Sequence, residues 1–231
     1  MNDQEILRTL EDQVLSGHTA LVIVDVQNDF VHPEGLVGRI TAEGERSSFY
    51  PESGNLWEAY PGLPTALERL EGLMDAARDT GVFIVFLRAT YDRKYVGASY
   101  RVKMEEKGLW DKLCQEGTFG ADFYGNIRPR PGAPGEVEVV KHQLSGFWGT
   151  DLDQILRRNG VKTVLMTGVA TCACVESTAR DAFFNDYYVV MVDDCCADWS
   201  DERHAWSLQF AEWLYGKVTT AERVKNLWGI E

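Results

Sequence analysis

The sequence predicts an α/β protein, a three-layer α/β/α sandwich around a mostly parallel, Rossmann-like central sheet. Two observations lead to this class. The strand candidates are continuous apolar runs, which is typical of strands covered on both faces. Segments with helical spacing of apolar residues separate them, and strand–helix–strand order at these intervals is typical of right-handed crossovers between parallel strands.

Five segments are predicted as strands: residues 20–25, 82–87, 137–140, 163–167 and 188–192. Four segments are predicted as helices: residues 63–80, a helix that begins near Leu152 and stops at Asn159, residues 175–184, and Asp201–Leu214. In the first helix, apolar residues recur at helical spacing, and Gly81 follows as a C-terminal cap. The third strand is introduced by a turn rich in proline and glycine at residues 131–135.

The 231 residues are 45% hydrophobic, which suffices for a sizeable core. We predict a single domain over residues 1–231, with a core at about 19–218. The net charge of −13 argues against nucleic acid and anionic membranes as partners, because both require a basic face. The N-terminus lacks the features of a signal peptide, and the five cysteines are odd in number, so a cytoplasmic location is expected.

Two long segments, residues 35–62 and 91–126, interrupt the alternation of strands and helices. They carry several aromatic residues among glycines and prolines: Phe49, Tyr50, Trp57, Tyr60, Trp110, Phe119, Phe123 and Tyr124. Segments of this length in a compact domain serve as lids, binding loops or subunit contacts, or are surface insertions without a specific role. The sequence leaves these roles open. We expect a homo-oligomer, in which such loops would cover a neighbouring pocket.

Three reactive side chains follow strand ends and are therefore expected at one edge of the sheet, where ligands bind in this class of fold. Asp25 ends the first strand, Lys141 and His142 end the third, and Cys174 follows the fourth at the predicted start of a helix. The helix N-terminus and the lysine would both favour a thiolate at Cys174. Asp25 would accept the thiol proton or orient the lysine. Backbone N–H groups of the same turn would stabilise an oxyanion.

Each of these residues also has a structural interpretation. An aspartate at a strand end often caps a turn, a lysine there is often solvated, and a cysteine is often a small buried residue. Composition and spacing therefore leave a catalytic site and a set of structural residues equally open.

Three stretches of sequence resemble the motifs of the isochorismatase-like cysteine hydrolases. These are residues 20–30 (ALVIVDVQNDF), 140–147 (VKHQLSGF) and 168–181 (GVATCACVESTARD). The resemblance extends over residues 19–218, and the motifs occur in the same order as the strands. Three motifs in register are far more specific than any one of them.

The resemblance implies a catalytic triad of Asp25, Lys141 and Cys174 and a thioester intermediate. It also implies a cis peptide between Val169 and Ala170, with the N–H groups of Ala170 and Cys174 facing the oxyanion. The preference for Cys174 over Cys172 rests on this resemblance. Cys172 departs from the family pattern, which often has Asn or Asp there.

Within the family, the wording of the motifs is closest to the ureidoacrylate amidohydrolases and the N-carbamoyl amidohydrolases. Residues 88–92 (RATYD) contain no histidine, unlike the metal set of the nicotinamidases, so no metal and no cofactor are expected. True isochorismatases lack a nucleophilic cysteine. The resemblance thus implies hydrolysis of a C–N bond in a small ureido, carbamoyl or amide substrate, with release of ammonia or carbamate.

Five residues near the triad are candidates for substrate contacts: Gln27, Phe30, Arg88, Phe147 and Trp148. Gln143 is an alternative polar contact to Gln27, and Arg88 would bind either a substrate carboxylate or an acidic neighbour. Two other functions stay open: hydrolysis of a larger or cyclic amide, and a non-catalytic partner-binding role, against which the intact triad argues. A zinc site at the CxC and CC pairs is disfavoured by their spacing.

Overall fold

The computed structural model describes residues 6–42, 56–60 and 62–230. These residues contain six strands: β1 (Thr19–Val24), β2 (Phe83–Ala89), β3 (Glu136–Lys141), β4 (Thr163–Val169), β5 (Tyr188–Ala197) and β6 (Lys217–Thr219). The helices are α1 (Leu10–Gln13), α2 (Asn28–Val31), α3 (Leu36–Ala42), α4 (Leu56–Ala59), α5 (Gly62–Thr80), α6 (Ala98–Glu106), α7 (Leu152–Arg158), α8 (Glu176–Phe184), α9 (Asp201–Leu214) and α10 (Ala221–Leu227).

The strands form one sheet in the order β3-β2-β1-β4-β5-β6, and every neighbouring pair is parallel. Helices cover both faces, so the predicted three-layer α/β/α class is confirmed. The chain first adds strands on one side of β1 and then returns to add β4 on the other side. The carboxyl ends of β1 and β4 therefore flank the point at which the strand order reverses.

The hydrophobicity of each strand follows its place in the sheet. Every residue of the central strands β1 and β4 is buried, which explains their unbroken apolar sequence. The edge strand β3 alternates at its end instead, with the exposed Val140 between the buried Val139 and Lys141. Strand β5 runs five residues beyond the predicted end at Val192, and its pairing with β4 shifts register between Met166 and Gly168. This polar extension does not look like a strand in the sequence.

Two hydrophobic cores lie on opposite faces of the sheet. On one face, α5 contributes Leu67, Leu70 and Met74, and α10 contributes Val224. On the other face, helices α7, α8 and α9 contribute residues such as Leu156 from α7. None of the helices described is both long and apolar enough to cross a membrane.

The two long segments are partly helical rather than simple loops. The first contains α3 and α4, with Phe49 and Tyr50 outside the described residues, and the second contains α6. The buried carboxylate of Asp29 joins the two segments. Its Oδ1 accepts a hydrogen bond from the N–H of Leu36 (2.9 Å), and its Oδ2 accepts one from the N–H of Cys114 (2.7 Å). This fastens both segments over the carboxyl edge of the sheet.

Candidate active site

The reactive side chains meet at the reversal point of the sheet. Asp25 follows β1 directly, Lys141 is the last residue of β3, and Cys174 lies in the turn after β4. Strand β3 is two places from β1, and Lys141 reaches across β2, where its backbone pairs with Ala89. Elements far apart in sequence thus place an acid, an amine and a thiol together.

Two backbone features allow this close approach. Gly168 has φ +101°, and a Cβ atom there would lie 2.1 Å from the carbonyl oxygen of Val24. Only glycine fits between β4 and β1 at this point. Asp25 has φ +52°, in the left-handed region that aspartate and asparagine tolerate better than most residues. The chain therefore turns sharply after β1, with the side chain of Asp25 buried beside Lys141.

The three side chains form one buried cluster. The Nζ of Lys141 lies 2.7 Å from Oδ2 of Asp25, and both side chains are almost completely buried. The same ammonium donates a hydrogen bond to the carbonyl oxygen of Gln143 at 2.9 Å. The thiol of Cys174 is only 5% exposed, and the charges of both Asp25 and Lys141 act on it. The carboxylate of Asp25 is therefore the nearby group that can accept the thiol proton.

Burial decides the protonation states of the cluster. It raises the pKa of Cys174 to about 12, and the nearby Lys141 only partly opposes this shift. It also raises the pKa of Asp25, again against Lys141. Burial alone would lower the pKa of Lys141, but the charge of Asp25 opposes it, and the pKa is raised overall. The expectation of a resting thiolate at Cys174 is therefore wrong: the residue rests as a thiol, beside a carboxylate made more basic by burial.

The turn that carries Cys174 is a single π-helical turn, Thr171–Val175, which leads into α8. It is preceded by a cis peptide between Val169 and Ala170, as the resemblance implied. The N–H of Val175 donates to the carbonyl oxygen of Ala170 at 3.3 Å. The hydroxyl of Thr178 donates to the carbonyl oxygen of Cys174 at 2.7 Å and accepts from the N–H of Gly146. The turn is thus fastened to the loop after β3.

Two acidic residues of the β5 extension and the segment after it hold the outer side of this turn. Asp198 accepts a hydrogen bond from the N–H of Cys172 through Oδ2 at 2.9 Å. His204 lies between the hydroxyl of Thr171 (2.9 Å from Nδ1) and Asp193 (2.8 Å from Nε2). Several polar contacts on one turn restrict it to one geometry. We therefore expect Asp198 and His204 to be positioning residues for Cys174.

Replacing Asp198 by alanine is expected to lower kcat by roughly 10- to 100-fold with little change in KM, because a displaced nucleophile costs about this much. Asp198→Asn keeps an oxygen acceptor for the N–H of Cys172 and is expected to recover most of the rate. Asp201→Ala, a change at an exposed acidic residue of α9, is the control. Steady-state kinetics on the three variants makes the comparison. Unchanged kcat in Asp198→Ala would rule out the positioning role.

Two of the five candidate substrate contacts have structural tasks instead. The buried amide of Gln27 donates to the carbonyl oxygens of Ala89 (2.9 Å) and Ala121 (2.8 Å) and accepts from the N–H of Ala89 (2.8 Å). Arg88 pairs with Glu138 at 2.6 Å and with Glu116 at 3.3 Å. Both N–H groups and the oxygen of the Gln27 amide are used in these hydrogen bonds. Arg88 forms ion pairs with acidic neighbours, which was the alternative to binding a substrate carboxylate.

The three aromatic candidates lie in different surroundings. Phe30 is buried, with its ring centroid 6.2 Å from that of Trp199. Phe147 is half-buried and packs 6.0 Å from the ring of Tyr187, while Trp148 is 61% exposed on the outer surface. Phe30 sits near the turn after β1, whereas Phe147 and Trp148 follow the loop away from the cluster. These three aromatic side chains are all close in sequence to a residue of the triad, but they lie in different parts of the structure.

Three residues near the cluster were not singled out by sequence reasoning. Tyr91 and Tyr100 lie with ring centroids 5.6 Å apart. Burial, together with the charges of Asp25 and Cys174, raises the pKa of both. Lys107, at the end of α6, is half-buried, and its pKa is lowered mainly by burial although the thiolates of Cys172 and Cys174 would oppose the shift. No motif marks these positions, because α6 reaches the site only through the packing of a long segment.

The described part of the chain contains no group of three or more His, Cys, Asp or Glu residues that could hold a metal ion. Three of the cysteines, Cys114, Cys195 and Cys196, are buried and free. The pKa values of all three are raised, chiefly by burial.

The fold and this cluster define a three-layer α/β/α protein with an acid, an amine and a thiol at the reversal point of its sheet, and comparison with known proteins identifies its family. Residues 19–223 match the family described as isochorismatase domain, so the chain belongs to the isochorismatase family. It is 25% identical to ureidoacrylate amidohydrolase RutB of Caulobacter segnis over 227 residues, which cover 91% of this chain and 86% of that protein. It is 30% identical to RutB of Pantoea ananatis over 188 residues, 76% of this chain and 68% of that one.

The chain is also similar to a solved structure of an amidase. The crystal structure of N-carbamoylsarcosine amidase from Thermoplasma acidophilum has a TM-score of 0.66 to this chain at 25% identity. The match covers 89% of this chain and 97% of the amidase. The family recognised in the sequence is therefore confirmed.

Proposed function

We propose that the chain is an amidohydrolase that uses Cys174 as its nucleophile and cleaves a C–N bond in a small ureido or carbamoyl acid. The observation that carries this proposal is the buried contact of a thiol, a carboxylate and an ammonium at the reversal point of the sheet. A buried ion pair without a task is a weak source of stability. Beside a thiol, the same pair can activate a nucleophile.

In the first half of the reaction, the carboxylate of Asp25 accepts the proton of the Cys174 thiol as sulfur attacks the carbonyl carbon. A C–S bond forms, and the carbonyl electron pair moves to oxygen. The backbone N–H groups of Ala170 and Cys174 would stabilise this oxyanion. When the oxyanion collapses, the C–N bond breaks and the leaving nitrogen takes the proton from Asp25. Ammonia or an amine departs, and a thioester remains on Cys174.

In the second half, water replaces the departed amine. Asp25 accepts a proton from this water as the oxygen attacks the thioester carbonyl. The C–S bond then breaks, and the sulfur recovers its proton from Asp25. The product leaves as a carboxylate or carbamate. The ammonium of Lys141 stays protonated in both halves and stabilises the negative charge that moves between Asp25 and Cys174.

The choice of a ureido or carbamoyl acid has two supports. Two relatives are named ureidoacrylate amidohydrolase, and one structural neighbour is named N-carbamoylsarcosine amidase. In addition, Lys107 at the end of α6 is a half-buried cation, and the charges of Cys172 and Cys174 both influence its pKa. A cation at this position would bind a substrate carboxylate, which is the role that the sequence predicted as one alternative for Arg88. We therefore assign Lys107 as the proposed contact for an anionic substrate group.

The test is an ammonia-release screen with ureido acids, N-carbamoyl amino acids, biuret, simple amides and cyclic amides, with Cys174→Ala as the blank. We expect the highest kcat/KM for ureido or carbamoyl acids. Lys107→Met is expected to raise KM for these anionic substrates about tenfold or more, since a charge-assisted contact contributes roughly 1.5–3 kcal/mol. It should leave KM for neutral biuret nearly unchanged.

The control for this change is Lys103→Met, which removes an exposed lysine of the same helix. It should have no comparable effect on any substrate. Turnover restricted to cyclic or larger amides would contradict the proposed substrate class. A folded protein that hydrolyses no amide in the panel would contradict the proposed function.

A further inference from the structure

An unusual surface covers the outer side of helices α8 and α9. Five aromatic side chains that are between 44% and 75% exposed lie on it: Trp148, Phe183, Phe184, Trp206 and Trp213. We call this surface the aromatic face. Exposed aromatic residues that occur singly are ordinary, but a contiguous group indicates an interaction site.

The aromatic residues are contiguous. On α9, Trp206, Phe210 and Trp213 are spaced i, i+4 and i+7, so they form one outward stripe. The rings of Phe210 and Trp213 are 5.4 Å apart. Arg180 of α8 stacks on Phe210 at 4.7 Å and also lines a cavity with Trp148 and Phe184. Arg180 therefore joins the stripe on α9 to the aromatic side chains of α8 and of the loop after β3.

The area matches that of a protein interface. Each large aromatic side chain has about 150–250 Å² to bury, so five of them at these exposures present about 600 Å². This is at the upper limit of the largest apolar patch on a typical monomer, roughly 300–600 Å². A standard interface takes about 800 Å² from each partner. The aromatic face supplies most of that area before any polar rim is counted.

The charge distribution indicates which partner fits. The chain as a whole has a net charge of −13, so most of its surface repels another copy. The charged residues that line the cavities of the aromatic face have both signs: Glu176, Arg180, Asp181, Glu202 and Arg203. Two arginines against three carboxylates leave this face close to neutral. A basic partner would instead be drawn to the acidic remainder of the surface.

We propose that the aromatic face is the interface of a two-fold homodimer. In such an interface the same patch is used twice, and each residue of one copy can meet a complementary residue of the other. An aromatic centre with arginines and carboxylates around it satisfies this condition. Arg180 pairs with Glu176 and Arg203 with Asp198 within one copy, so both arginines are held in place at the edge of the aromatic centre. The expected homo-oligomer therefore uses α8 and α9, rather than the long loops that the sequence suggested.

The interface also borders the active site. The loop that carries Trp148 begins directly after Lys141, and its Gln143 accepts the hydrogen bond of the Lys141 ammonium. Cys172, two residues before Cys174, lines the cavity beside Trp206. A second copy seated on the aromatic face would therefore hold the outer side of the nucleophile turn.

The test is the mass of the full chain in solution, measured by light scattering after size exclusion and by sedimentation velocity. The chain has a mass of 26.0 kDa, and we expect a species of twice that mass at micromolar concentration. The double variant Trp206→Glu/Trp213→Glu is expected to weaken the dimer at least 100-fold and to elute as a monomer. Both side chains are at least 63% exposed, so the fold should be retained, as circular dichroism would verify.

The control is Leu15→Glu, which adds one carboxylate at a residue that is 53% exposed and lies before β1, outside the aromatic face. It should remain dimeric. A monomeric wild type at about 100 μM would overturn the proposal. So would an oligomer whose mass the double variant leaves unchanged, since another surface would then hold the copies together. These outcomes do not depend on the amidohydrolase assignment, because mass is measured without substrate.

Discussion

Replacing Cys174 by alanine is expected to reduce turnover by at least about 10⁴-fold while the fold is retained. Covalent catalysis requires the sulfur atom, and loss of a nucleophile has this order of effect where it has been measured in other hydrolases. Cys174 is small and nearly completely buried, and alanine differs from it only by the sulfur atom. Single-turnover and steady-state ammonia release would measure the loss. Circular dichroism and thermal unfolding would show that the fold persists.

Cys172→Ala is the matched control. Cys172 lies in the same turn, but its side chain is exposed and the turn depends on its backbone N–H, which alanine retains. We expect this variant to keep most of the activity. The pKa values of Cys172 and Cys174 are both raised to about 12, so the two thiols differ in their neighbours: Asp25 and Lys141 act on Cys174, whereas Asp198 acts on Cys172. Equal loss in the two variants, or appreciable activity in Cys174→Ala, would show that the nucleophile is assigned wrongly.

The second large effect is expected from the buried ion pair. Asp25→Asn leaves the Lys141 ammonium buried without its partner. Lys141→Met likewise leaves the Asp25 carboxylate buried without its partner. Each change is expected to lower the free energy of unfolding by about 3–5 kcal/mol, the usual cost of breaking a buried pair. Asparagine is the appropriate substitution at position 25, because it tolerates the φ of +52°. Urea unfolding would measure both losses.

The double variant Asp25→Asn/Lys141→Met distinguishes charge burial from packing. It removes both charges and is expected to be more stable than either single variant, within about 2 kcal/mol of the wild type. It should nevertheless have no measurable turnover, because no group is left to accept the thiol proton. A double variant that loses the sum of the two single losses would contradict this account. Recovery of activity with stability would contradict the role of Asp25 as the base.

The sheet was predictable because buried parallel strands have a simple sequence signature. Strands β1, β2 and β4 are covered on both faces, and their continuous apolar runs stand out from the rest of the chain. The short edge strand β6 and the polar end of β5 have no such signature. The end of β5 forms because it pairs with β4, and β6 forms because it pairs with β5. A strand formed by pairing rather than by burial is not visible in a local pattern.

The candidate site was predictable for a related reason. Asp25, Lys141 and Cys174 each lie at or just beyond the end of a strand, and parallel strands bring their carboxyl ends to one edge. Sequence position therefore translated directly into spatial proximity for these three. The resemblance to known motifs then distinguished Cys174 from Cys172. The positioning residues Asp198 and His204 were not found, because their role depends on where α9 packs.

The sequence by itself determined the fold class, the family and the three residues of the buried cluster, because these follow from burial and from strand ends. Tertiary structure decided the direction in which the pKa of Cys174 shifts, since burial outweighs the nearby ammonium. It also decided that Arg88 pairs with glutamates and that burial lowers the pKa of Lys107. The physical reason is that the contacts of a long polar side chain and the pKa of a buried group depend on neighbours that are distant in sequence.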